Sequence, residues 1–410
     1  MAHLAILCPP LPGHINPMAV LARTLIERGH RVTFLGFPDM GPRMPPDLSF
    51  KAFGGRDLPP GALGPYLQLL ARLGGPVTTW RFIRDLARFT DVIARELPGT
   101  LERLGPDALV IDQTDAASSL VATAMGIPFA NVANALPLNL EPKLPPPVLP
   151  WPYDPSEKGV RRNRGGMRVA RVVERPITAV IRRHAERLGV PRIRFADEAW
   201  SSQAQVTQCV RGLDFPREGL PAHFHYLGPF READAPLDVD LPEDGRPLVF
   251  CSLGTLQGSR AHIFHAVAEA AAALDARLLI AHGGLLAERD AARLPGQPIV
   301  RAYVPQRAVL ARAALAITHA GFNTVMDALS FGVPMVALPI TFEQPATAAR
   351  IEHAGVGRAL HRRRTAERIR DAMRDVLGAS AYREKARTLQ AEVAGAGGVA
   401  RAADIVESLL

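Results

Sequence analysis

The sequence predicts an α/β protein built from two doubly wound parallel sheets, and three observations carry that expectation. Short apolar runs alternate with helical periodicity from the first residues, in the order strand, turn, helix, strand. The alternation restarts after an acidic, proline-bearing stretch at 229–247 that reads as an extended linker. A chain of 410 residues also exceeds what one ordinary core organises, so two domains are expected. The boundaries read from this are a first domain 1–228, the linker 229–247, a second domain 248–390 and a terminal helix 391–410.

In the first half, 3–8 read as a buried strand, PPLPGHINP as a turn, 17–28 as a helix and 31–36 as the next strand. No GxGxxG loop occupies that turn. Gly13-His14, beside Asn16 and Pro17, instead lifts a histidine to the carboxyl end of the first strand, where ligands of such sheets bind. Pro and Gly between 41 and 75 mark loops, and helices follow at 77–96 and 97–104. The strand 107–111 ends in Asp112 on the same edge as His14, so the two can serve as a base and its orienter. The competing readings are a capping or packing histidine and a helix N-cap, although Asp115 is better placed to cap the helix 116–125. A strand at 127–132, a proline-rich loop at 134–155 and a strand at 205–210 complete this half.

The second half restarts with a strand at 248–252, the turn LGTLQGS, a helix at 261–274 and strands at 277–281 and 299–302. Gly254 and Thr255 in that turn are candidate phosphate contacts. Residues 315–318 read as a strand, His319-Ala320-Gly321 as a turn and 322–331 as a helix. The start of that helix offers unpaired backbone N–H groups and the positive end of the dipole, so Gly321, Asn323 and Thr324 sit where a diphosphate is held, with His319 adding a side-chain hydrogen bond. Asp327, one turn on, suits vicinal ribose hydroxyls as an acceptor. Tyr303 offers a flat face for a base and Gln306 an amide for its edge. After a strand at 335–338, Glu343 and Gln344 open the next helix, and an acid followed by an amide suits the hydroxyls of a sugar. Helices at 366–377, 381–393 and 399–410 close the chain.

Composition narrows the function classes. The apolar share of 48% is that of a globular protein, and no apolar run reaches membrane-spanning length. MAHLAILCPP runs from a strand straight into a motif, so no signal peptide is expected. Cys8, Cys209 and Cys251 are too far apart for paired metal ligands and fit free thiols in a reducing cytoplasm. The net charge of +8 comes almost wholly from arginines scattered along the chain, so no nucleic-acid partner is expected. One stretch, 161–187, interleaves arginines with valine and isoleucine. It reads either as an amphipathic segment resting on an anionic membrane or as a helix packed on the first domain with a solvated basic face.

The set from Tyr303 to Gln344 resembles the signature of the GT-B UDP-glycosyltransferases, written in plant members as tryptophan-x-proline-glutamine, HCGWN[ST], an acid, GVP and aspartate-glutamine. Tyr303, Ala320, Phe322, Asp327 and Glu343 depart from it. All but the alanine keep the chemical role, and a turn residue acting through its backbone can be alanine. The resemblance covers nearly the whole chain and implies a GT-B fold with a cleft between two facing domains, the final helix crossing back to the first. It further implies an inverting transfer with His14 as base and Asp112 as its partner, without a metal or other cofactor. Gln344 leans the donor towards UDP-glucose. CSLGTLQGS, THAGFNTVMDAL, LPITFEQPATAARI and DQTDAASSLVATAMGIPFANVANALPLN resemble bacterial carotenoid glucosyltransferases, which implies a lipophilic hydroxylated acceptor such as zeaxanthin and a cytoplasmic protein peripheral to the inner membrane face. The alternatives are a macrolide, polyketide or phenolic acceptor, a UDP-sugar epimerase, or a non-catalytic partner protein of the same fold.

Overall fold

The structure, a computed structural model, describes residues 1–410 apart from 192, 233–235, 237–238 and 242–243, so parts of the expected linker lie outside the described residues. Among the described residues, β1 (His3–Leu7), β2 (Arg31–Gly36), β3 (Ser49–Ala52), β4 (Ala108–Asp112), β5 (Phe129–Ala133), β6 (Ala204–Thr207) and β7 (Phe224–Tyr226) form one sheet in the order β3-β2-β1-β4-β5-β6-β7. A second sheet holds β8 (Leu248–Ser252), β9 (Arg277–Ala281), β10 (Ile299–Arg301), β11 (Leu315–Thr318), β12 (Met335–Ala337) and β13 (Gly357–Ala359) in the order β10-β9-β8-β11-β12-β13. Every pairing is parallel. Strands such as HLAIL and LVFCS are buried along their whole length because helices cover both faces. Strand order reverses between β1 and β4 in one sheet and between β8 and β11 in the other, and each reversal opens a crevice at the carboxyl ends.

The helices of the first half are α1 (Pro12–Glu27), α2 (Gly64–Ala71), α3 (Pro76–Leu104), α4 (Ala116–Met125), α5 (Glu157–Val173) and α6 (Arg175–Arg187). Those of the second are α7 (Gly254–Gln257), α8 (Ala261–Ala272), α9 (Glu288–Ala291), α10 (Gln306–Leu310), α11 (Phe322–Ser330), α12 (Gln344–His353), α13 (Ala366–Gly378), α14 (Ser380–Gly395) and α15 (Gly398–Glu407). Several elements differ from expectation, among them short helices α7, α9 and α10. Helix α1 begins at Pro12 rather than 17, since a proline in the first turn loses no hydrogen bond, and His14 thereby joins the helix. The helices expected at 77–96 and 97–104 are one: Leu97 and Leu101, flanking Pro98, are buried in the first core, and that packing outweighs the bond the proline cannot make. The loop expected at 41–75 contains β3 and α2.

The two halves are joined by more than the linker. Ala402, Ala403, Ile405 and Val406 of α15 pack in the first-sheet core beside α1, and Arg28 binds Asp404 at 2.9 Å and Glu407 at 2.7 Å. Deeper in the interface, Arg350 of α12 meets Asp214 at 2.7 Å, with Arg217 on the other carboxylate oxygen at 2.6 Å. Burial opposes ionisation of Asp214, yet the two guanidiniums prevail and hold its pKa down at about 2. Among the described residues no helix is long and apolar enough to cross a membrane.

Asp214→Asn strips two buried arginines of their counter-charge and is expected to cost about 3–5 kcal/mol of unfolding free energy, read by thermal or denaturant unfolding. The folded-state pKa of Asp214 lies below the unfolded value. Its contribution is therefore complete above the ordinary carboxylate range and declines only as pH falls towards about 2. A variant as stable as the parent would show that the pair does not anchor the interface.

Candidate functional site

One cavity of about 1960 Å³ runs between the carboxyl ends of the two sheets and is lined by both. On the first-sheet side stands His14, placed in the opening turn of α1, with its Nδ1 2.7 Å from Asp112 Oδ2 at the end of β4. These two residues flank the strand-order reversal. Asp112 is fully buried and its oxygens are fully engaged: Asn134 Nδ2 donates at 2.7 Å, and the Thr114 backbone N–H and hydroxyl donate at 2.9 and 2.5 Å. Burial alone lowers the pKa of His14; the charge and hydrogen bond of Asp112, helped by Glu343 across the cavity, outweigh it and raise the pKa. With Nδ1–H committed to Asp112, Nε2 is left as the basic atom. Asp115 does not join this pair, because it caps α4 by accepting from Ser118 N at 2.9 Å.

The opposite wall is built around β11 and α11. His319 follows β11, and its imidazole fits against two glycines that admit no side chain. A Cβ on Gly254 would lie 2.7 Å from His319 Cε1, and one on Gly321 would lie 2.3 Å from Nε2. Gly254 also has φ +71°, which favours glycine. Burial, only partly offset by the Ser252 backbone, lowers the His319 pKa to about 4, so the ring is neutral at physiological pH and acts by hydrogen bonding. Its Nδ1 has no partner among the described residues. Gly321 is the N-cap of α11, with Asn323 and Thr324 in the first turn and Thr255 at the start of α7 facing the same cavity.

The remaining expected residues all line this cavity, and several are already bonded. Asp327 accepts from Gln306 Nε2 at 2.7 Å, so Gln306 fixes the acid rather than standing free for a base edge. Tyr303 is largely exposed, with its hydroxyl on the Gly283 carbonyl at 3.0 Å and a ring face open for stacking. Gln344 spends its oxygen on the backbone N–H groups of Ile340 and Thr341, both at 2.9 Å, and so shapes the loop that precedes α12 at the cavity wall. Burial raises the pKa of Glu343, which stands just before α12 at the cavity wall without a side-chain bond to the helix. Asn323 reaches across the cavity, and its Nδ2 donates to the Gly13 carbonyl at 2.8 Å. That carbonyl is free because the helical partner four residues on is Pro17, which has no N–H.

Sequence reasoning missed Asn134, Gln208 and Arg231. Gln208 Nε2 donates to Asn134 Oδ1 at 2.6 Å, and Arg231 Nε donates to Asp327 Oδ1 at 2.6 Å. A usable signal was present, since Asn134 and Gln208 each follow an apolar strand at its carboxyl end, as Asp112 ends β4. Arg231 had none, lying in a segment read as linker.

Away from His14 the cavity is walled by apolar side chains, including Phe82, Ile83 and Leu86 of α3 and Val169 and Val173 of α5. The arginine-rich stretch divides here. Helix α6 packs its apolar face, with Ile181 and Ala185 buried, as the packed reading expects. Helix α5 leaves Val169 and Val173 exposed at the cavity rim with Val172 exposed beside them, and Val77 and Trp80 of α3 are exposed as well.

With this geometry in place, comparison with known proteins is informative. Residues 265–409 match the family described as erythromycin biosynthesis protein CIII-like, C-terminal domain. The chain is 37% identical to zeaxanthin glucosyltransferase of Pantoea ananas, covering 100% of this chain and 96% of that protein. It is 30% identical to 4'-demethylrebeccamycin synthase of Lentzea aerocolonigenes over 100% of both chains. In fold it is similar to the calicheamicin glycosyltransferase CalG4, with a TM-score of 0.79 and 23% identity over 100% of this chain and 98% of that one.

Asp112→Asn keeps the shape of the partner and removes its charge, leaving burial opposed only by the smaller effect of Glu343 on His14. By NMR titration, the His14 midpoint is expected above that of an ordinary histidine in the parent and below it in the variant. Coincident midpoints would mean that Asp112 does not set the basicity of His14.

Proposed function

The chain belongs to the GT-B glycosyltransferase family that includes bacterial zeaxanthin glucosyltransferase, and on that premise we propose that it transfers glucose from UDP-glucose, with inversion, to a hydroxyl of a lipophilic acceptor. The observation that carries the reading is the pairing of a base and an anion site across one cavity: His14 on Asp112 faces the start of α11, and Asn323 bonded to Gly13 sets their spacing.

An acceptor hydroxyl beside His14 gives its proton to Nε2 while the new O–C1 bond forms and the bond from C1 to the diphosphate oxygen breaks. Attack from the side opposite the leaving group inverts C1. The leaving charge is received by the backbone N–H groups of α11, the neutral imidazole of His319 and the Thr255 hydroxyl, and the reading invokes no metal. Tyr303 stacks the base, Asp327 takes the ribose diol, and Glu343 and Gln344 hold the hexose.

The apolar wall suits a hydroxylated carotenoid such as zeaxanthin, and the exposed rim suits acceptance of that substrate from a bilayer at the inner face of the membrane. Trp80, Val169, Val172 and Val173 supply the apolar contact, and Arg161, Arg164 and Arg168 surround them with exposed positive charge. Arg162 is not available for this, because it donates to the Pro152 carbonyl and stacks over Trp151. The similarity to 4'-demethylrebeccamycin synthase supports a second reading, a natural product such as a macrolide, polyketide or phenolic as acceptor.

Incubation with UDP-glucose and zeaxanthin in liposomes should give a glucoside by mass spectrometry, with the anomeric configuration opposite to that of the donor by NMR. His14→Ala should slow its formation by about 10²–10⁴-fold. Retained configuration would refute direct displacement, and no product alongside intact UDP binding would move the acceptor to the second reading. Independently, Arg161, Arg164 and Arg168 changed to Glu should release the protein from vesicles rich in anionic lipid, read by co-sedimentation. Unchanged binding would remove the membrane from the account.

A further inference from the structure

Asp327 poses an electrostatic problem: it places a buried carboxylate in a site that must also take up a diphosphate anion. Gln306 Nε2, its partner at 2.7 Å, is neutral. The cation is Arg231, whose Nε lies 2.6 Å from Asp327 Oδ1, with Arg307 further off at 3.8 Å. Arg231 does not belong to the half that carries Asp327. The preceding Phe230 is buried in the first-sheet core, and its N–H donates to Gln208 Oε1 at 2.9 Å.

The guanidinium bridges the two halves. Nη1 donates to Gln208 Oε1 at 3.2 Å and to the Phe230 carbonyl at 2.8 Å, while Nη2 donates to Asn323 Oδ1 at 3.1 Å. From Gln208 the hydrogen bonds continue through Asn134 to Asp112 and His14 at 2.6, 2.7 and 2.7 Å. One line of polar contacts thus joins the acid of the donor site to the acid behind the base.

We propose that Arg231 is a positioning residue for the nucleotide: it fixes the Asp327 carboxylate in place, ready to recognise a ribose 2',3'-diol, and ties α11 to the first sheet in the reactive arrangement. This rests on the reading of Asp327 as the ribose acceptor. A carboxylate offers roughly four lone-pair sites. Among the described residues Arg231 and Gln306 occupy two, and the rest are offered to the two hydroxyls. Arg231 touches no reacting atom, and its effect is on selectivity for ribose and on nucleotide affinity.

The test is calorimetric binding of UDP and 2'-deoxy-UDP to the full chain and to Arg231→Gln, Arg231→Lys, Asp327→Asn and the Gln–Asn double variant. The parent should prefer UDP, and Arg231→Gln should weaken UDP by about tenfold and erase most of that preference, as expected for loss of a charge-assisted contact. Arg231→Lys, which keeps the charge without the fork, should fall between, and it reads the same preference if the glutamine variant does not fold. In the Asp327→Asn background, Arg231→Gln should add little, because both act through one carboxylate. If Asp327→Asn abolishes the preference while both Arg231 variants keep it, the inference about Arg231 fails and the donor reading stands. If the parent binds UDP and 2'-deoxy-UDP alike, the ribose role of Asp327 fails and takes the inference with it.

Discussion

The geometry of the molecule depends on one topological constraint. In a parallel sheet whose strand order reverses, the connections leaving the two strands at the reversal turn to opposite faces, and a crevice opens between them. This chain has two such points, between β1 and β4 and between β8 and β11. His14 leaves the first by way of β1 and Asp112 by way of β4, while Gly254 leaves the second by β8 and His319 by β11. The four are remote in sequence and belong to two pairs because the sheets require it. What the local sequence adds is a cavity wall with the His14–Asp112 pair on one side and the backbone N–H groups at the start of α11 on the other.

The relative placement of the two sheets is fixed by contacts of different character. Near the chain terminus, α15 contributes apolar side chains to the first core. In the middle, Arg350, Asp214 and Arg217 form a desolvated ionic cluster, with Arg350 also stacked on Phe215 at 4.2 Å. At the mouth, Phe82 of α3 meets Phe342 of the second half with ring centroids 6.0 Å apart. Apolar packing supplies the adhesion, and the ionic cluster, which tolerates little misalignment, supplies the register.

The fold was legible because its strands are short apolar runs bounded by turns, and the second-half cavity wall was legible because its residues fall close together in the chain, from Tyr303 to Gln344. Pairing His14 with Asp112 was also within reach, since both sit at strand ends. Less legible were elements whose existence depends on neighbours: β3 and β7, of four and three residues, take their conformation from the strands they join. Continuity of α3 through Pro98 follows from burial of the residues around it, which a local rule about proline does not contain. The contacts Arg231 makes with Asp327 and Gln208 with Asn134 connect positions that no periodicity relates. For the stretch 161–187, periodicity indicated amphipathic helices but not that one would hide its apolar face and the other display it.

Pro17 shows how a residue can be chosen for what it lacks. Within α1 it cancels one amide hydrogen, and the vacant acceptor, the Gly13 carbonyl, is the one Asn323 uses from the other half of the molecule. A residue with an N–H at 17 would add a helical donor to the same oxygen, which has two lone pairs, so the helix and the cleft would share an acceptor that Asn323 now uses without a helical rival. Position 17 is therefore a point where an interruption in a helix leaves an acceptor undivided for a contact between the two halves, and helix propensity alone does not measure what a substitution there would change.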